Sequence, residues 1–184
     1  MADAPEPEHD DHGAHDDHEG HDHEHAPRAP RLILPEEHRE MGVDLFNQVW
    51  TLLEAPDRSS AEDDEMVHAA HASRWHWSRA GQFGGPQQAA VGEWQCSRVY
   101  AVLGRGEPAV HHARASLAIC DTAGLGDWVR AAALEAMARA HRVAGDADAA
   151  QEFLAQARAA LADVARDDDR EVIENDLQQL EGAE

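Results

Sequence analysis

Residues 100–113, YAVLGRGEPAVHHA, and residues 141–154, HRVAGDADAAQEFL, follow one plan 41 positions apart. Tyr100, Gly104, Ala109 and Ala113 of the first copy stand where His141, Gly145, Ala150 and Leu154 stand in the second. Each copy reads as the end of one helix, a tight turn built on Gly, and the start of a second helix. Small residues early in the second helix let the two helices approach closely. This stretch decides the fold, because a helix pair that repeats is a unit meant to be stacked.

Outward from the repeat, the chain reads as helix after helix. Residues 36–54 carry Met41, Leu45, Val49, Leu52 and Leu53 at helical spacing. Pro56 and the Ser59-Ser60 pair end that pattern. A second helix is predicted over 61–80, its first turn loaded with Glu62, Asp63, Asp64 and Glu65, as the helix dipole favours. Gly81, Gly84, Gly85 and Pro86 stop it. A third covers 87–103 and ends at Gly104. The fourth carries Pro108 in its first turn and runs to about 122. The fifth, sixth and seventh are predicted over 127–144, 147–165 and 169–180. Aromatic residues make up only 5% of the chain, Ala fills its second half, and no segment reads as a strand. The expected fold is all-α, with about seven helices.

The fragment Tyr-x3-Gly-x4-Ala from Tyr100 to Ala109, with its helix–turn–helix unit, resembles a tetratricopeptide repeat. The period here is 41 where that family uses 34. Glu93 stands where the family has Trp, with Trp94 one place later, and the closing Pro is missing. The likeness spans roughly residues 36–182, with the first two helices as a degenerate third copy and the seventh as a cap. A looser resemblance links the segment His71-Ala72-Ser73-Arg74-Trp75-His76-Trp77 to bacterial proteins without assigned activity. The tetratricopeptide likeness implies an antiparallel helix-pair array whose first helices line a concave peptide-binding face. It places Trp94 and Arg98 of one copy, and Glu135, Arg139 and Arg142 of the next, on that groove. An aromatic, an acid and three guanidinium groups together suit a peptide or carboxylate. The alternative is a solvated helix face with one half-buried Trp.

Charge narrows the partners. The 184 residues carry 37 Asp and Glu against 15 basic residues, all Arg, for a formal net charge of −22. A surface this acidic repels nucleic-acid phosphates and anionic membranes, so neither is an expected partner. Residues 1–31 hold ten of the acids, two Arg and seven of the fourteen His, with almost no large apolar side chain. Such a segment buries too little surface to offset its ordering entropy and is predicted to be a disordered tail. The globular domain is then 32–184. The start of the chain lacks the basic and apolar regions of a signal peptide, which predicts a cytoplasmic protein with Cys96 and Cys120 as reduced, buried thiols.

Two groups of histidines suggest metal chemistry. In the tail, His9, His12, His15, His18 and His21 recur every third residue, followed by His23 and His25. Imidazoles interleaved with carboxylates are donors for Zn, Ni, Co or Cu. In the second predicted helix, Glu65, His68 and His71 lie on one stripe with Trp75. With Cys96, His111 or His112 as a further donor they define a candidate mononuclear site. The alternative is that His68 and His71 pack or hydrogen-bond between helices. No phosphate-binding loop, nucleophile elbow or dinucleotide fingerprint appears. Three functions follow as expectations: a peptide- or protein-binding module with a metal-binding tail, a metalloprotein or metalloenzyme sited on the second helix, or a structural adaptor with an acidic solubilising tail.

Overall fold

The structure, a computed structural model, describes residues 32–182. Among these the fold is all-α, with seven helices and no strand: α1 Pro35–Glu54, α2 Ser60–Arg79, α3 Pro86–Val102, α4 Gly106–Ala123, α5 Asp127–Val143, α6 Ala147–Ala160 and α7 Asp167–Gly182. The predicted tail lies outside the described residues.

Local chemistry sets the boundaries. Ser59 accepts the Glu62 amide, while the Glu62 carboxylate accepts from the Ser59 amide at 2.8 Å, a reciprocal box that starts α2. The Ser59 amide and hydroxyl, both donating to the Glu62 carboxylate, hold that carboxyl below its ordinary pKa. The two turns of the repeated stretch share one backbone pattern. Gly104 and Gly145 take φ of 68° and 81°, the left-handed region that Gly enters without strain. In one turn the Arg105 amide donates to the Tyr100 carbonyl; in the other the Asp146 amide donates to the His141 carbonyl, both at 2.9 Å. The ring pairs match as well. Tyr100 stacks on His112 and His141 stacks on Phe153, each at 5.5 Å between centroids, and both partners are 41 positions apart.

Helix α6 ends earlier than its sequence pattern suggests. It stops at Ala160 and passes through a 3-10 turn, Leu161–Asp163, where the sequence predicted helix to 165. The turn swings Leu161 and Val164 inward against Ile173 and Leu177 of α7, all four at most 7% exposed. Burying those side chains outweighs one further turn of α-helix. A second short 3-10 turn, Gly81–Phe83, joins α2 to α3.

Consecutive helices form the pairs α1/α2, α3/α4 and α5/α6; α2 packs on α3, α4 and α3 on α5, and α7 on α5 and α6. Helix α5 is central and nearly all its side chains from Val129 to Ala140 are buried, most of them Ala. Small residues bring backbones together. A Cβ on Gly106 at the start of α4 would lie 2.6 Å from the Ala144 Cα at the end of α5. Buried side-chain donors tie the helices further. Ser73 donates to the Gly42 carbonyl at 2.7 Å, Gln95 to Phe46 at 3.0 Å, Ser97 to Ala109 at 2.9 Å and Ser116 to Ala90 at 2.8 Å. Each such bond is worth about 1 kcal/mol net, and each fixes the register of one helix on the next. No helix among the described residues is long and apolar enough to cross a membrane.

Candidate functional site

The groove residues read from the sequence gather on the face shared by α1, α3 and α5. Trp50 of α1, half-buried, packs against Trp94 of α3 with ring centroids 5.7 Å apart, and Phe46 lies one turn earlier at 6.3 Å from Trp50. The Arg98 guanidinium sits over both indoles, 5.3 Å from Trp50 and 5.9 Å from Trp94. Cation–π geometry of this kind holds the guanidinium flat and leaves its edge free to donate.

That edge is already engaged. Arg98 donates through both terminal nitrogens to Asp176 of α7, at 2.7 and 3.0 Å. Arg139 approaches the same carboxylate at 3.6 Å and donates to Glu135. Arg142 donates to the Leu180 carbonyl near the end of α7. Glu135 is 1% exposed, so it supports Arg139 from beneath and does not present itself to a ligand. Burial pushes its carboxyl pKa up, and the adjacent Arg139 only partly offsets this. Trp94 packs against two of the hydrophobic clusters and serves as a wall of the face. The five predicted groove residues therefore share one region, and α7 lies over its charged end.

The other end of the face is apolar. Val43 and Phe46 of α1, Trp77 of α2, Gln87, Gln88, Val91 and Gly92 of α3 and Trp128 of α5 line a cavity of about 310 Å3. Phe46 belongs both to this cavity and to the aromatic row, so cavity, indoles and guanidinium run on without a break.

Comparison with protein-family models, curated proteins and solved structures gives no match. The tetratricopeptide likeness therefore rests on the residues that carry it.

The Glu65, His68 and His71 stripe behaves differently. Glu65 and His68 are exposed on α2, and Glu65 accepts from Gln48 of α1 at 2.5 Å. His71 turns the other way and meets the Tyr100 hydroxyl at 2.9 Å. Among the described residues no group of three or more His, Cys, Asp or Glu is arranged to hold a metal ion. Cys96, the nearest thiol candidate, is fully buried, and burial pushes its pKa up to about 12, so it stays protonated. Steps of three and four align Cα positions on a helix, but neighbouring helices pull the side chains apart.

What His71 joins instead is a cluster that sequence reading did not assemble. Glu93 of α3, 8% exposed, accepts from His112 Nδ1 of α4 at 2.6 Å and from Arg74 of α2 at 2.8 Å. The His71 ring lies edge-on to His112 at 5.1 Å. Burial alone would raise the Glu93 pKa, but the His112 hydrogen bond and Arg74 override it and leave the carboxyl below its ordinary value. Burial, with the neighbouring His112 and Arg74, lowers that of His71. The cluster fastens three helices through one carboxylate. The tail histidines His9, His12, His15, His18, His21, His23 and His25 lie outside the described residues.

Sequence reading missed Asp176, Trp50 and Trp128. Asp176 left one signal. It sits on the apolar stripe of Ile173, Leu177 and Leu180, where an acid needs a cationic partner.

Proposed function

We propose that the protein is a tetratricopeptide-like helical-repeat module that binds a peptide or protein segment along the α1/α3/α5 face. We propose further that residues 1–31 bind divalent metal through their imidazoles. The observation that carries the first part is the unbroken run from the 310 Å3 apolar cavity through Phe46, Trp50 and Trp94 to Arg98. A cavity takes an apolar anchor and indoles take a flat or aliphatic group, while Arg98, engaged by Asp176, closes the run at its charged end. The matching backbone turns and the ring pairs at corresponding positions of the two helix hairpins support the repeat reading. Free, buried Cys96 and Cys120 suit a reducing cytoplasm, where we place its action. In the tail, Zn, Ni, Co or Cu would be held by any three or four of seven His with carboxylate support.

A displayed random-peptide library tests the groove. Enriched peptides should carry an aromatic or aliphatic anchor, and Phe46→Ala and Trp128→Ala should each weaken them about tenfold, or ~1.4 kcal/mol, with helicity retained. Absence of enrichment, or peptides indifferent to both changes, would overturn the reading. For the tail, a peptide of residues 1–31 should bind Ni, Zn or Cu(II) near pH 7.5 and release it toward pH 5, since ligating imidazole titrates near ~6.5. Binding that is flat across that range would exclude imidazole as the ligand.

A further inference from the structure

The seat of α7 differs from an ordinary helix contact. Ile173 and Leu177 are 4% and 0% exposed against the core, and between them Asp176 enters the charged end of the face at 8% exposure. Its carboxylate takes both nitrogens of Arg98, a residue of α3, although the backbone of α7 packs on α5, α6 and the 3-10 turn before it. Arg139 flanks that carboxylate, and Arg142 holds the Leu180 carbonyl one turn later. A helix that merely covered α5 would need only apolar contacts. A buried ion pair contributes little net stability over an apolar pair of the same volume. An ionic seat therefore gives selectivity for an acidic occupant at no gain in stability.

The link to α7 is short. It consists of the Leu161–Asp163 turn and residues 164–166, fastened where the Ala165 amide donates to Asp127 at 3.0 Å and where Arg170 donates to the Val164 carbonyl. A helix with few partner elements opens at lower free energy than the helices it rests on.

We infer that the α7 seat is a receptor for an acidic amphipathic helix, which α7 occupies in cis and which a partner helix of the same pattern takes in its place. The pattern, read from Ile173, Asp176, Leu177 and Leu180, is apolar-x2-Asp-apolar-x2-apolar. This deepens the groove reading and rests on it, since Arg98 is shared by the aromatic row and the seat. The net charge of −22 opposes an acidic partner at long range. At physiological salt the screening length is about 8 Å, so contacts at Arg98 and Arg139 decide binding.

The test uses the full chain and, as probe, a fluorescent synthetic peptide of residues 167–182. Leu177→Ala loosens α7 in cis, so the probe should bind that variant at least tenfold tighter than the unaltered chain. Adding Arg98→Gln should remove most of that gain, and a probe with Asn in place of Asp176 should bind about tenfold more weakly. Hydrogen exchange on the unaltered chain gives a second measurement that survives if Leu177→Ala fails to fold. Amides of α7 should exchange at least a hundredfold faster than buried amides of α3 and α5, and excess probe should alter the α7 rate. Exchange of α7 only in step with α5, or a folded Leu177→Ala chain that ignores the probe, would overturn the inference. Probe binding without any library peptide sensitive to Phe46→Ala would overturn the groove reading instead, and library binding without probe binding would overturn this inference alone.

Discussion

The two ends of the α1/α3/α5 face are built from the same helices and end in opposite states. At one end Val43, Phe46, Val91 and Trp128 border an apolar cavity that no segment of the described chain fills. At the other, Arg98, Glu135 and Arg139 are covered by α7, and Arg98 and Arg139 meet Asp176. Leaving apolar surface exposed costs about 25 cal/mol per Å2, a loss a small domain tolerates. A largely buried guanidinium or carboxylate without a partner costs roughly several kcal/mol per group, so the charged end has to be occupied by an opposite charge. Openness on this face thus tracks polarity.

Three substitutions test that contrast, in order of expected effect. Arg98→Ala strips Asp176 of its bidentate partner and removes the cation from both indoles. It should destabilise the fold by about 3 kcal/mol in urea melts, with the α7 amides losing protection first. A cost below about 1 kcal/mol would mean the closed end is not held by charge.

Glu93→Gln probes the other charged cluster and should cost about 2 kcal/mol near neutrality, since Arg74 is partly solvated and softens the loss. Its signature is acid behaviour. The Glu93 pKa lies below the ordinary Glu value of 4.5, so the carboxylate contributes stability above that pH and loses it as pH falls through its depressed value. His71, with its pKa lowered from 6.5, adds an earlier loss as pH falls below that figure. In Glu93→Gln the later part of the acid-induced loss should vanish, and a variant that unfolds in acid along the original curve would contradict the pairing.

Val91→Ala at the open end should cost about 1 kcal/mol or less, because the side chain is only half-buried and no partner is stranded. A loss equal to that of Arg98→Ala would erase the contrast between the ends.

Much of this molecule is legible one segment at a time. Ser59 with Glu62, the left-handed Gly104 and Gly145, and Pro86 at the start of α3 set boundaries within a residue or two of the sequence reading. Each acts through atoms a few positions away. The end of α6 was not legible, because what stops it is Leu161 and Val164 reaching Ile173 and Leu177 of a later helix. The Glu65, His68 and His71 stripe shows the reverse case, a convincing local pattern that adjacent helices take apart through Gln48 and Tyr100.

By itself, then, the sequence determined seven helices and most of their ends, the Gly turns of two matched hairpins, and which residues carry charge, because caps, turns and periodicity are set by near neighbours in the chain. Only the tertiary structure decided which charges meet. Arg98 and Asp176 are 78 positions apart, and Glu93 and His112 are 19 apart on different helices. Pairing at that range depends on how one helix lies on the next, and a buried charge adopts whichever opposite partner packing delivers to it.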